Sequence, residues 1–533
     1  MKETLRQSMA WLHTWAGLLT GWLLFFVFLT GTFGYVNAEV DRWMRPELPL
    51  SSAEGPAAAQ MLALAEARHH ARGGEEEYWL VRMPAGRAAA DFSIGWRDRP
   101  AASQGRGRFH HEHLDPRTGL PAEQSVRATG GGDLLYQMHH ALHYMPYDWA
   151  FRIVGIATMF MFVAILSGIV VHRKIFADFF TFRPGRGQRS WLDGHNLLSV
   201  SALPFHLMIT WSGLVFFTFS YMPVAVDALY PDSAARDRVY AQAYGYEEAE
   251  RGADRPAAAL APLAPMLAEA ERRWGPHSTA FITIDNPGRD NARVSFYHEQ
   301  MTVSRTRRML RFDGASGALT AVDQDIRTGT GLFTGLLLGL HEAHFAGPVL
   351  RALFVLAGLA GTAMIATGLL LWSSKRKAKL AGFGRAGRPH PGIRAVDVLN
   401  LGTIIGLPVG IAAYFWANRL LPVGIPDRGP WEANAMFIAW GLCFLYAIWR
   451  PLPRAWPELC ALAAGGFALL PVVNALTTDR HLGITLPAGD WVLAGFDLSA
   501  LATGLFFGWL ATMVRRRSPA AGPRGLPAAE AGH

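Results

Sequence analysis

SWLDGHNLLSVSALPFHLMITWSG, residues 190–213, is apolar enough to cross a bilayer, yet it carries two histidines, His195 and His206. In an uninterrupted helix their eleven-residue spacing returns to nearly the same face, with a rise of about 16 Å. Ionisable side chains are costly inside a membrane and mark functional sites there. Two imidazoles on one face at that separation point to haem ligation or an electron path.

Outward from this stretch the chain reads as a polytopic membrane protein. It has 533 residues, 51% of them hydrophobic, with 18 Trp and 31 Phe. Apolar runs of about twenty residues match the hydrocarbon thickness. The expected spans are 11–36, 151–172, 190–220, 349–372, 398–418, 433–449, 457–477 and 490–514. Basic residues cluster beside them: Lys2 and Arg6, Arg173-Lys174, Lys375 to Lys379, Arg450 and Arg454, and Arg515 to Arg517. Every even-numbered span ends on such a flank, so eight spans with both termini cytoplasmic satisfy the positive-inside rule. The net charge of +8 is then a topology signal and not a nucleic-acid one. With only Cys443 and Cys460, both in or beside spans, neither a disulfide framework nor a cysteine metal site is expected.

Two large polar segments lie outside, and they look alike. Each runs from a helical pattern (57–70; 261–274) through three strand-like stretches (78–84, 90–96, 109–115; 279–287, 292–300, 308–313). Each closes on an aspartate four residues before a glycine, Asp115 to Gly119 and Asp313 to Gly317, with Thr118 or Ser316 between, the chemistry of a tight turn. The spans repeat too. His13 precedes Thr30-Gly31 as His195 precedes Ser212-Gly213, eighteen residues to the glycine in both. His140 and His143 stand before the second span as His341 and His344 stand before the fourth, and Ser167-Gly168 and Thr367-Gly368 follow inside those spans. Residues 1–180 and 190–380 are therefore two parallel copies of one unit, related by an axis along the membrane normal. His206 has no counterpart, because Leu24 fills its place.

Facing histidines from two copies suit haem b, which takes two imidazoles in a helical bundle. The sequence has no CxxCH for covalent haem and no HExxH for a zinc peptidase. A zinc or copper site is the main rival; Glu342 offers a third ligand in the second copy, but the first has Ala141 there. The candidate ligands near the cytoplasmic side are His13, His172 and His195, with His206 between the borders. Those near the outer side are His143 and His344, with His140 and His341 adjacent. His111 and His113 share a strand face in the first outer segment and are candidates for a metal.

The segments WLHTWAGL (11–18), LLYQMHHALHY (134–144) and LLLGLHEAHF (336–345), with the two Asp-to-Gly strand ends, resemble the PepSY-associated transmembrane family of bacteria, in its ferric-siderophore-reductase and iron-uptake branch. The resemblance covers about residues 1–380. It implies an inner-membrane protein with two b-type haems on transmembrane histidines and PepSY-like α+β domains in the periplasm. It also implies an oxidoreductase that reduces siderophore-bound iron(III).

The expected layout is an all-α polytopic membrane protein: a first span (1–36), PepSY-like domain 1 (37–149), a second and third span (150–173, 190–220), PepSY-like domain 2 (221–348) and a fourth span (349–373). A basic cytoplasmic loop (374–397), a four-helix membrane region (398–514) and a tail (515–533) complete it. Relatives that fuse a flavin module differ from this chain, so the electron donor is expected to be a separate protein or membrane carrier. The last four spans contain no histidine and are read as lacking charged residues inside, which argues against a proton-coupled carrier. The alternatives are an uptake permease or ligand-binding membrane protein without redox activity, and a regulatory protein acting on a partner.

Overall fold

The computed structural model describes residues 2–50, 57–72, 76–84, 92–99, 108–115, 118–121, 126–172, 179, 182–183, 185, 187–218, 228–236, 238, 255–322, 329–382 and 390–517. Arg173, Lys174, Arg186, Arg385 and the tail beyond Arg517 lie outside these.

The first copy begins with α1 (Lys2–Phe33) and α2 (Asn37–Met44). Its outer part holds α3 (Ala58–Arg72), β1 (Glu76–Arg82), β2 (Ser93–Asp98) and β3 (Phe109–His113). It returns through α4 (Gly131–Ala141) and α5 (Tyr147–Val171). The second copy repeats the order with α6 (Gln188–Ser201), α7 (Leu203–Phe216), α8 (Leu263–Trp274), β4 (Thr279–Asp285), β5 (Arg293–Met301), β6 (Arg307–Asp313), β7 (Leu319–Val322), α9 (Thr330–Glu342) and α10 (Pro348–Gly382). The remainder is helical: α11 (Pro391–Ile404), α12 (Gly406–Leu420), α13 (Arg428–Trp449), α14 (Leu452–Ala468), α15 (Leu470–Thr477) and α16 (Trp491–Arg517). Among the described residues seven helical runs are long and apolar enough to cross a membrane, and the pair α6–α7 brings the number to eight if it is one span.

That pair departs from expectation. The two helices meet at 69°. Pro204 stands in the first turn of α7. It has no N–H to give to Val200, and its ring crowds that carbonyl, so the ladder stops. Ala202 leaves helical geometry (φ −116°, ψ 22°), and its carbonyl restarts the helix by accepting from the His206 N–H at 2.8 Å. His195 and His206 therefore do not share one face of one helix.

The two outer segments are not separate sheets. They join into one antiparallel sheet of order β3-β2-β1-β4-β5-β6-β7. Equivalent strands meet at the centre, where Leu80 pairs with its counterpart Thr283. Tyr78 faces Asp285, and their counterparts Phe281 and Arg82 face each other. This register is what a two-fold relation between the copies requires. One sheet face is apolar (Trp79, Val81, Ile94, Ile282, Phe296, Leu310) and packs under α3 and α8.

The Asp-to-Gly turns match in detail. Gly119 N–H donates to Asp115 O and Gly317 N–H to Asp313 O, at 2.8 and 2.9 Å. Both glycines have positive φ, +68° and +75°, which side chains with a Cβ resist.

Candidate functional site: two facing histidine pairs

α1 packs on α5 and α10, and α6 packs on α10, which gathers the four spans of the two copies. At one end of this group His13 on α1 faces His195 on α6, ring centres 6.2 Å apart. Their Nδ1 atoms are anchored alike, His13 on the carbonyl of Ala164 at 2.8 Å and His195 on that of Met364 at 2.9 Å. Each anchor lies three residues before the repeated hydroxyl–glycine step. A Cβ on Gly168 would sit 3.2 Å from His13 Cε1, and one on Gly368 equally close to His195 Cε1. The small residues let each ring lie against a helix backbone.

At the other end His139 faces His341, ring centres 6.4 Å apart and planes within 22°. Nδ1 of His139 contacts the Tyr136 carbonyl, and Nδ1 of His341 lies 3.0 Å from Ser212 Oγ. Gly31 backs His139 and Gly213 backs His341, again through the repeated hydroxyl–glycine steps. Between this pair and the spans lies a cavity of about 770 Å³. Its deeper wall is apolar (Leu24, Phe28, Phe151, Met161), and Arg305 and Glu342 stand among its polar lining, joined by a 2.7 Å hydrogen bond.

All four histidines use Nδ1 for an oxygen, which leaves Nε2 as the nitrogen that would meet a metal; metal-bound imidazoles are oriented in this way. Metal–nitrogen bonds of about 2 Å, with about 1 Å more to each ring centre, put two trans imidazoles about 6 Å apart. Both pairs meet that requirement, and the cavity gives the outer pair room for a planar apolar group. The residues present fit haem b. Among the described residues no group of three His, Cys, Asp or Glu side chains is placed to hold a metal ion.

None of the other candidates joins a facing pair across the two copies, though His140 and His344 line the same cavity as the outer pair. His172 caps the end of α5, its N–H on the Gly168 carbonyl. His143 lies on Phe437 of α13, centres 5.5 Å apart, and His344 is 3.4 Å from Glu342, so these two do not face each other. His140 sits beside His139, centres 4.9 Å apart. His111 and His113 do share a face, at 4.6 Å.

The sequence leaves open which of His139 and His140 points inward, and the structure turns His139 toward His341. The signal was its spacing: Leu135 and Met138 are buried, and His139 continues their helical stripe. His206 is 1% exposed. Neither ring nitrogen makes a hydrogen bond; the Ser199 and Ala357 carbonyls lie near without bonding geometry. It sits seven residues from Gly213 along α7. Its ring also lies at Gly361, seven residues before Gly368 on α10. Seven residues rise about 10 Å, so His206 stands midway between the pairs.

The last helices are richer in charge than their sequence suggests. Asp497, missed within its apolar span, accepts from Trp43 Nε1 at 2.9 Å and Asn474 Nδ2 at 3.0 Å. Arg419 donates to Asn474 Oδ1 at 2.8 Å and lies 3.6 Å over the Trp43 ring. Glu432 binds Arg428, and also Asn418 and Thr129 at 2.8 and 2.6 Å. These groups are buried and bond to one another, tying α12, α13, α15 and α16 to α2 and to residues 127–131 of the first copy.

A model of the PepSY-associated TM region matches residues 10–375. The chain belongs to that family. All four facing histidines lie inside the matched region of this PepSY-associated TM protein, and α11–α16 lie beyond it. An uncharacterized protein of Pseudomonas aeruginosa is similar to this chain, 25% identical over 425 residues that cover 74% of this chain and 97% of that one. With its apolar helices and its family, this PepSY-associated TM protein is a multi-pass membrane protein.

Proposed function

We propose that the protein is a di-haem b ferric reductase of the bacterial inner membrane, passing electrons across it to siderophore-bound iron(III) in the periplasm and releasing iron(II). The observation that carries this reading is the pair of facing-histidine sites, alike in ring-centre separation (6.2 and 6.4 Å) though crossed at 68° in one and near-parallel at 22° in the other, and set at opposite ends of the same four spans. His13 and His195 hold the inner haem, and His139 and His341 the outer one. Haem b between two imidazoles supplies one-electron transfer with no open iron position.

The chain's own groups do the rest. The Ala164 and Met364 carbonyls fix tautomer and ring orientation at the inner pair. Phe28, Phe151 and Met161 keep water from the outer pair. His13 and Gly31 are eighteen residues apart on α1, about 27 Å of rise, so the two pairs serve opposite membrane faces. The basic flanks support cytoplasmic termini, with the PepSY-like insertions 37–149 and 221–348 in the periplasm. Iron(III) prefers the hard oxygen donors of a siderophore, and iron(II) is held more weakly, so one electron frees the metal. The spans of α11–α16 carry no histidine, which leaves the donor a separate protein or membrane carrier.

The test is vectorial. Protein is placed in vesicles with a reductant trapped inside, and ferric siderophore and an iron(II)-trapping dye outside. Coloured iron(II) complex forms outside, and His13→Ala or His341→Ala slows it at least a hundredfold. Chelate uptake with no iron(II) formed contradicts the reading and favours the permease alternative.

A further inference from the structure

The sheet face opposite α3 and α8 has a different chemistry from the apolar one. Strand register places Arg82, Arg97, Arg293 and Arg311 on it, and Arg307 lies over Phe281 at its end. Three acids stand against these arginines, Asp285, Asp313 and Glu77, whose Oε1 lies 3.7 Å from Arg97 Nη1. The Asp313 carboxylate is taken by Ser316, whose N–H and Oγ each lie 2.7 Å from Oδ1. Burial holds the Asp285 carboxyl above its usual range, against the pull of Arg293, Arg311 and Arg97. The face is therefore cationic.

It is also aromatic. The Arg97 guanidinium is 5.4 Å from the Tyr78 ring centre and 5.9 Å from that of Phe109. Arg307 is 5.5 Å from Phe281, which stacks on Tyr297 at 4.5 Å. A groove of about 370 Å³ opens at Arg293, Arg311 and Thr320. The face leads to the outer histidine pair. Arg307 opens β6 two residues after Arg305, which lies in the preceding turn and whose Nε donates to Glu342 at the cavity; the groove at Arg311 lies about 13 Å further along the strand.

We infer that this arginine–aromatic face binds an iron(III) chelate that is both anionic and aromatic, a catecholate or phenolate complex, at the end where Arg97, Arg293 and Arg311 gather. Guanidinium forks match paired oxygen anions. Flat ligand rings stack on the same guanidinium and aromatic planes. A cationic hydroxamate complex meets like charge and is rejected. The inference rests on the reductase reading for the iron in the ligand; the binding surface itself does not need redox chemistry.

Gallium(III) complexes separate the two, because gallium keeps the charge and shape of iron(III) but is not reduced. Titration of purified full-length protein with gallium(III) tris-catecholate gives binding that weakens as salt rises. Arg293→Gln and Arg311→Gln each reduce affinity at least tenfold, Arg293→Lys recovers part of it, and a cationic gallium trihydroxamate binds at least tenfold more weakly than the catecholate. Equal affinity for the two complexes, or catecholate binding indifferent to salt in the unaltered protein, overturns the inference whatever the variants do. Tight arginine-dependent gallium binding by a protein without haem sinks only the reductase reading. Full iron reduction with gallium affinity unchanged by the arginine variants sinks only this one.

Discussion

In the first copy the span carrying His13 runs as one helix from Lys2 to Phe33, whereas in the second the span carrying His195 breaks at Ala202 and turns by 69°. The position of Pro204 is held in the first copy by Trp22, whose Nε1 donates to Asn400 of α11 at 2.9 Å. The position of His206 is held by Leu24. The copies nevertheless place histidine, hydroxyl–glycine step and carbonyl anchor in the same relation at the inner pair. The difference teaches which features serve the shared site and which serve a single copy. What both keep is the ring geometry needed at the two-fold axis. The first copy docks the last helices through Trp22, Trp43 and residues 127–131, while the second meets them through α10, where Lys377 lies 2.7 Å from Asp397; the second alone carries Pro204, His206 and the Arg305–Glu342 contact.

If the copies contribute equally, removing either partner of a pair has the same result. His139→Ala and His341→Ala each lower bound haem from about two to about one per chain, and His13→Ala and His195→Ala do so for the other haem, by pyridine haemochrome assay. His143→Ala and His344→Ala leave the count unchanged. Unequal losses within a pair break the comparison.

The docking of the first copy carries the next largest effect. Arg419→Met removes the donor to Asn474 Oδ1, Asn418 Oδ1 and the Trp43 carbonyl, and each buried acceptor left without a partner costs about 1–3 kcal/mol. Thermal unfolding in detergent shows a large drop, and mild proteolysis cuts between α10 and α11. A variant as stable as the parent refutes the clamp.

Glycine contacts sharpen the comparison at the outer pair. A Cβ on Gly213 would lie 3.1 Å from His341 Cε1, but one on Gly31 meets His139 at an ordinary 3.5 Å. Gly213→Ala therefore costs about 1–3 kcal/mol by overpacking and loosens outer haem, while Gly31→Ala is nearly silent. Gly317→Ala, at a positive-φ turn with room for a Cβ, costs about 1–2 kcal/mol, and Gly119→Ala costs about 1–3 kcal/mol more, because its Cβ would lie 2.6 Å from Leu64 Cβ. The smallest change is His206→Leu, which copies Leu24 into the second unit. Haem content stays the same and stability rises slightly, because two buried nitrogens without hydrogen bonds are removed. Loss of a haem in this variant makes His206 a ligand and ends the account of it as an unpaired midpoint.

Much of this architecture was legible in the sequence because it is periodic and repeated. Apolar length and basic flanks give the spans, and the two Asp-to-Gly turns gave the equivalence of β3 with β6. Four features were not legible, each for a physical reason. Pairing between β1 and β4 is a contact between distant segments, with no local signature. The bend was written in Pro204, but an apolar run conceals a break when only hydropathy is followed. The choice of His139 over its neighbour His140 depends on helix phase one residue at a time. Asp497 and Arg419 lie in different helices, and only packing reveals that they stabilise one another.

The central claim is that two facing histidine pairs each hold a haem b. It is tested most directly by the dithionite-reduced minus oxidised visible spectrum of the purified full-length protein, with haem counted per chain. The account predicts b-type bands of low-spin, bis-imidazole haem and about two haems per chain. Protein that is folded and monodisperse but shows no reduced haem bands contradicts it.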